Sequence, residues 1–276
     1  MNRRFFLLLA FTSLLAVGGR TQTPPLAAKA PYSPFDSREE AESFLRSAKV
    51  VQIKPLGSGV SSAKKLLLDD GKLQRNAVFK DIDDRRKGVV QIDGFPEIDF
   101  KDSWKFEVVA YELDKLLGMN MIPVTIERSI EHKRGSVELW LDGCIAEGVR
   151  QKKQLAPPNL LEWNRQMYKV HLFDNLVFNI DSNKGNLLVN PEFIIFKIDH
   201  TRTFKNVIQL KRPEYLTSFS RSLIQALEKL DKARILACCK DYLSADEINC
   251  LLGRKDLILK LYRKVAAEKG ESAVYP

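Results

Sequence analysis

Two polar stretches interrupt apolar frames in the second half of the chain: Asn179-Ile180-Asp181-Ser182-Asn183-Lys184-Gly185-Asn186 and Phe196-Lys197-Ile198-Asp199-His200. Between them lie two short apolar strand signals, Leu187–Val189 and Phe193–Ile198, turned by Asn190-Pro191-Glu192. With the turn centred near 191–192, Asn186 falls opposite 197 and Asp199 opposite 184. Antiparallel pairing then brings Asp199 within about 10 Å of Asn186 and Asp181. Carboxylate and amide oxygens converging in this way suit a hard divalent cation, Mg²⁺ or Mn²⁺. Asp181 and Asn186 are five residues apart. That spacing suits an Asp that orients or deprotonates a hydroxyl, with the Asn and a later Asp holding metal against a triphosphate.

Phosphate charge also requires a cation from the protein. Lys80, at the end of an apolar strand and downstream of a Gly-containing turn, is the candidate. Glu107, on the next helix, either pairs with Lys80 and fixes its position or serves as a further metal ligand. Gly57-Ser58-Gly59 either turns a hairpin or cradles phosphate through Gly57 and Gly59. Lys184 either adds positive charge at the phosphates or is a solvated loop residue, and Arg202 is similarly open. His200 reads as a hydrogen-bonding structural residue and His171 as a core histidine. Trp104, Trp140 and Trp163 read as packing residues.

The elements that must carry these groups follow from periodicity. Ser37-Arg38-Glu39-Glu40 is a capping box opening a helix to about Ala48. Strands are expected at Val50–Lys54, Lys65–Leu68 and Ala77–Lys80, with Asp69-Asp70-Gly71 as a hairpin turn. Residues 81–102 read as a polar loop. Asp102 or Ser103 should cap a helix running to Leu117, stopped by Gly118, whose apolar stripe contains Phe106, Val109, Ala110 and Leu113 with Glu107 on its shoulder. Val124–Arg128 and Val137–Leu141 complete a small antiparallel sheet with one inserted helix. Gly143–Arg150 would link this half to a mainly helical one, opened by Pro157-Pro158. Helices are expected over 160–178 and from 213 to 268, and loops at Lys133-Arg134 and Gln151-Lys152-Lys153.

The chain has 276 residues, 45% of them hydrophobic, enough for a substantial core and too ordinary for collagen-like, disordered or disulfide-scaffold classes. Its formal charge of +9 concerns association more than fold, and no aromatic interleaving of the basic residues suggests nucleic-acid binding. Four cysteines and three histidines, without metal-site spacing, argue against zinc. Cys238-Cys239 and Cys250 allow at most one disulfide. Met1-Asn2-Arg3-Arg4, the apolar run Phe5–Val17 and Gly18-Gly19 have signal-peptide layout, and the run is short for a membrane span. Cleavage after residue 19 removes Arg3 and Arg4 and lowers the charge to +7. The expected organisation is a signal peptide at 1–19, a Pro-rich linker at 20–36, and two folded halves at 37–145 and 146–276. The protein would be exported, periplasmic or secreted, or else anchored by an uncleaved N-terminus.

Together these features resemble the atypical kinases: phosphoinositide kinases, HipA-like kinases and secretory-pathway kinases of the Golgi casein kinase type. Glu107-Val108-Val109-Ala110-Tyr111-Glu112-Leu113-Asp114-Lys115-Leu116-Leu117-Gly118, followed by Ile122-Pro123, looks like the secretory kinases' helix with its acidic residue. Asp181-Ser182-Asn183-Lys184-Gly185-Asn186-Leu187-Leu188-Val189 looks like the phosphoinositide-kinase catalytic loop, and Ile198-Asp199-His200 like the metal-binding DFG region. Two departures stand out: no His or Arg adjoins Asp181, and Asp199-His200-Thr201 lacks the Phe and Gly. The resemblance covers about residues 50–205. It implies an α+β, two-lobed protein-kinase-like fold, with an antiparallel N-lobe sheet carrying one helix and a mainly helical C-lobe. It also implies ATP and Mg or Mn in the cleft, Lys80 on phosphates, Glu107 pairing with it, Asp181 catalytic, and Asn186 and Asp199 on metal. The implied activity is transfer of the ATP γ-phosphoryl group to a hydroxyl of a protein, lipid or small molecule. The alternatives are a nucleotide-binding pseudokinase and a basic module that binds anionic surfaces.

Overall fold

The computed structural model describes residues 32–57, 63–92 and 94–276. The signal-peptide reading, most of the linker, and Ser58 and Gly59 lie outside the described residues. Residues 32–35, expected within the linker, instead form a turn closed by the Phe35 N–H on the Tyr32 carbonyl at 2.9 Å. Phe35 leaves extended chain because its ring finds a buried partner in Phe44, 5.1 Å away.

Ser37 opens helix α1 (Arg38–Ser47), its hydroxyl accepting the Glu40 N–H at 3.1 Å. Ala41, Phe44 and Leu45 form the buried face of α1. Strands β1 (Lys49–Pro55), β2 (Lys64–Asp69) and β3 (Gln74–Lys80) follow as a meander. Period-2 alternation buries Leu66, Leu68, Ala77 and Phe79.

Residues 81–102 are the largest departure from the sequence reading. The expected polar loop is a hairpin of β4 (Asp83–Ile92) and β5 (Phe95–Ser103), paired only with each other. Its charged, non-alternating sequence hides it, since neither strand buries a continuous face. Charge contacts hold it to the rest of the molecule. Lys205 Nζ donates to Glu97 Oε1 at 2.5 Å and to the Asp99 carbonyl at 2.7 Å. Lys101 Nζ reaches Glu247 Oε1 at 2.6 Å.

Helix α2 (Lys105–Leu117) ends at Gly118, whose φ of +62° is the left-handed conformation that glycine adopts without strain. Its start differs from expectation. Trp104 occupies the cap position with helical angles and no cap bond of its own, while Ser103, still in β5, accepts the Lys105 N–H on its hydroxyl at 3.3 Å. β6 (Thr125–Ile130) and β7 (Lys133–Leu139) complete a five-stranded antiparallel sheet of order β1-β2-β3-β7-β6. Lys133 and Arg134 therefore open a strand and are not a loop.

The second half begins with β8 (Ile145–Ala146) and α3 (Glu147–Lys152), so Gln151 and Lys152 are helical too. α4 (Leu160–Val177) is capped by Asn159. β9 (Leu187–Val189) and β10 (Ile195–Lys197) form a hairpin that β8 joins as a third strand. Leu187 pairs with Lys197, one residue from the expected register, so Asn186 lies opposite Ile198. The cause is a longer turn, closed by the Ile194 N–H on Asn190 Oδ1 at 2.8 Å. α5 (Arg221–Lys229), α6 (Lys232–Cys239), α7 (Ala245–Lys269) and α8 (Glu271–Val274) finish the helical half. The chain is thus α+β and two-lobed, with an antiparallel N-lobe sheet and a mainly helical C-lobe. One buried apolar cluster runs through both lobes. No disulfide joins the four cysteines, and no helix among the described residues is long and apolar enough to cross a membrane.

Candidate active site

In β3, Ala77 and Phe79 face the core, which turns Val78 and Lys80 toward a cleft of about 540 Å³ between the lobes. Lys80 Nζ lies 2.5 Å from Glu107 Oε1 and 2.9 Å from Asp199 Oδ1. One ammonium therefore ties together the end of β3, the first turn of α2 and the segment after β10. Glu107 is 1% exposed and takes the pairing role, leaving no position on solvent. Its other oxygen, Oε2, accepts the His200 N–H at 2.9 Å, with His200 Nδ1 at 3.3 Å. Burial disfavours the Glu107 carboxylate, but Lys80 and His200 outweigh it and hold its pKa far below the usual range. Burial likewise opposes the Lys80 ammonium, and Glu107, Asp199 and Glu138 outweigh that, holding its pKa above normal. Burial lowers the pKa of His200, which stays a neutral hydrogen-bonding residue packed edge-on to Phe173.

Close packing sets the position of Lys80. A Cβ on Gly135 of β7 would stand 2.3 Å from the Lys80 carbonyl oxygen and 2.5 Å from the Phe79 ring. Gly135→Ala is expected to destabilise the protein by about 1–3 kcal/mol, the usual cost of overpacking, measured by denaturant unfolding. A change below about 0.3 kcal/mol would contradict the close approach.

Asp181 lies on the loop after α4 and lines the cleft. The expected basic neighbour is absent, and Asp174 of α4 supports the loop instead. Its carboxylate accepts Asn179 Nδ2 at 2.9 Å and the Ser182 hydroxyl at 2.6 Å, and lies 2.7 Å from the buried Lys197 Nζ. Burial would raise the Asp174 pKa, but Lys197 lowers it further. Asn186 donates from Nδ2 to the Asp181 carbonyl at 3.0 Å and so braces the loop. It is not among the residues lining the cleft. Neither is Lys184, whose Nζ binds Gln151 Oε1 at 2.6 Å. Gly57 does not line it either, although Leu56 and Ala63, which flank the turn, do.

Three polar cleft residues escaped the sequence reading: Glu138, Asp102 and Thr201. Thr201 Oγ1 sits 3.4 Å from Asp199 Oδ1. Arg202 lines the cleft, where its guanidinium pairs with Glu97 at 2.5 Å and stacks on Phe100 at 4.6 Å. Glu138 and Asp102 are buried, and burial pushes both pKa values up, Glu138 to about 8 with help from the Glu107 and Asp199 charges. The one available signal for Glu138 was a lone charge inside Val137-Glu138-Leu139-Trp140-Leu141. Nothing in β5 announced Asp102, because that strand was not recognised. Trp140 also lines the cleft and is not packing alone.

A divalent cation is tested by the donor set. Among the described residues no group of three or more acidic, His or Cys side chains is placed to cage a metal. Mg²⁺ needs no such cage, since one or two carboxylates plus substrate phosphates hold it. Asp199, with one oxygen beside Lys80, fits that mode. Asn186 uses Nδ2 on Asp181, which leaves its amide oxygen as the donor atom.

No family model and no curated sequence matches the chain. Solved structures do. Fam20 from hydra, determined with a sugar, is 15% identical with a TM-score of 0.64, over 88% of this chain and 93% of that one. A Golgi casein kinase is 13% identical with a TM-score of 0.64, over 86% of this chain and 77% of that one. The Helicobacter pylori proinflammatory kinase CtkA is 13% identical with a TM-score of 0.51, over 82% and 98%. At these identities the likeness establishes the fold, which is that of the atypical, Golgi-casein-kinase-like kinases.

Proposed function

We propose that the protein is an ATP-dependent phosphotransferase, a kinase that moves the γ-phosphoryl group to a hydroxyl acceptor. One observation carries the reading: Lys80 is joined to Glu107 and Asp199 in a cleft that Asp181 also lines. Lys80, held in place by Glu107, faces the phosphates as a fixed cation. Asp181 accepts the acceptor hydroxyl's proton as its oxygen bonds to the γ-phosphorus and the bond to the β-phosphate oxygen breaks, releasing ADP. Asp199, with the Asn186 amide oxygen, would hold Mg²⁺ or Mn²⁺, which would supply positive charge for the phosphates. Leu139 of β7 and the following Trp140-Leu141, with Val78, Leu188 and Ile198, supply the apolar walls for the base. The lobes divide near residue 145, as 37–145 and 146–276, behind a signal peptide at 1–19 and a linker that ends before the turn at 32–35. The N-terminal basic and apolar layout, and likeness to a Golgi casein kinase, support export, to the periplasm or the outside of the cell.

The test is ADP formation from labelled ATP with Mg²⁺ or Mn²⁺, comparing wild type with Asp181→Asn. The variant should lose about 10²–10⁴-fold in kcat, the range for a positioned general base, with ATP affinity kept within about threefold. Tight metal-dependent ATP binding with no turnover in wild type would replace this reading by the pseudokinase one. No ATP binding would overturn both.

A further inference from the structure

We infer that Glu138 selects the base of the bound nucleotide, reading the N7 and N6-amino edge of adenine and rejecting guanine. The inference rests on the proposed reading of the cleft as a nucleotide site and adds to it the origin of base preference. Glu138 is paired across the sheet with Val78 on one side and Thr125 on the other, and shares the cleft lining with Val78. It directly precedes Leu139-Trp140-Leu141, all three of which line the same cleft. A base stacked among these apolar walls presents its edge to the last polar side chain of β7.

Glu138 is built differently from its neighbour Glu107. It is 8% exposed, and its Oε2 is buried without any hydrogen-bond partner. Such an oxygen is costly unless a ligand satisfies it. Its one nearby cation is already taken, since Lys80 is bound by Glu107 and Asp199. The charged groups that face it are Lys80 from β3, Glu107 from α2 and Asp199 from the segment after β10. Burial first, and then two anions among these three groups, raise its pKa to about 8 and favour the neutral acid at pH 7. A carboxylic acid offers one donor and one acceptor, the same pattern with which an amide side chain reads adenine N7 and N6–H₂. Guanine presents acceptors at both N7 and O6, and O6 opposes the carbonyl of the acid.

Equilibrium binding of ATP, GTP and 7-deaza-ATP to wild type, Glu138→Gln and Glu138→Leu tests this by calorimetry. Wild type should prefer ATP over GTP and over 7-deaza-ATP by about 5–150-fold, the range of one bidentate base contact. Glu138→Leu should bring both ratios below about threefold. It should not lower the melting temperature, because it replaces a buried carboxyl without a cation of its own. Glu138→Gln should keep the preference. As pH rises from 7 to 9.5, through the pKa of about 8, the acid proton is lost. The wild-type preference should then fall while that of Glu138→Gln stays flat. Equal binding of ATP and 7-deaza-ATP to wild type, or an unchanged preference in Glu138→Leu, overturns the role of Glu138 while leaving the nucleotide cleft in place. No binding of any of the three nucleotides overturns both.

Discussion

On the proposed reading, Lys80→Met is expected to reduce ATP turnover by about 10³-fold or more, because it removes the cation proposed to face the phosphates and unties Glu107 and Asp199 together. Lys80→Arg should not restore activity, since a planar fork cannot take the place of a point charge seated between two carboxylates. The same change should cost about 3–5 kcal/mol of stability at pH 8, the usual penalty for leaving one partner of a buried pair uncompensated. The sign with pH is distinctive. In wild type the folded-state pKa of Glu107 is depressed, so its contribution is present above the unfolded value and is lost as pH falls below it. Without Lys80, burial dominates and raises that pKa. The variant should then be relatively more stable at pH 5 than at pH 8. Thermal unfolding across that range measures it. A constant stability difference between wild type and Lys80→Met at all pH values would contradict the burial of Glu107.

Arg254→Ala is expected to be the most destabilising change away from the cleft. Arg254 is fully buried in α7, and its guanidinium donates to three backbone carbonyls: Leu176 at 2.7 Å, Lys205 at 3.0 Å and Val207 at 2.6 Å. The Lys205 carbonyl keeps the Val207 N–H at 2.8 Å, whereas the Leu176 and Val207 carbonyls lose the guanidinium at about 1–3 kcal/mol each, so a loss of about 2–6 kcal/mol is expected from denaturant unfolding. The two later carbonyls belong to the chain that follows Asp199, and the first belongs to the helix that leads into the Asp181 loop. Faster amide exchange at 199–207 should therefore accompany the loss. Arg254→Lys should recover only part of it, because one ammonium cannot span all three acceptors. A loss below about 1 kcal/mol would mean that water replaces the guanidinium.

The sequence carried the main sheet and the helices well, because each buries one face and so leaves a period of 2 or 3.6 in its apolar residues. Ser37, Gly118 and Asp69-Asp70-Gly71 marked their ends through local hydrogen bonds and backbone preference. The β4–β5 hairpin left no such trace. It buries no continuous face, and its contacts with Lys205, Arg202 and Glu247 come from residues more than a hundred positions away. The one-residue register change at β9–β10 depended on how many residues the turn took up, which an Asn-Pro pair does not specify.

Residue type and chain order led to Lys80, Glu107, Asp181 and Asp199, and the fold joins Lys80 to Glu107 and Asp199 and sets Asp181 in the same cleft. The lengths of the contacts, the choice of Lys80 over solvent or metal as the partner of Glu107, and the support of the Asp181 loop by Asp174 and Lys197 came from folding. So did the separation of Lys184, Asn186 and Gly57 from the cleft lining. Local chemistry is written in the identity of a residue. Burial, the direction of a side chain and the company it keeps are set by segments distant in the chain, and for Glu138 and Asp102 those were the properties that mattered.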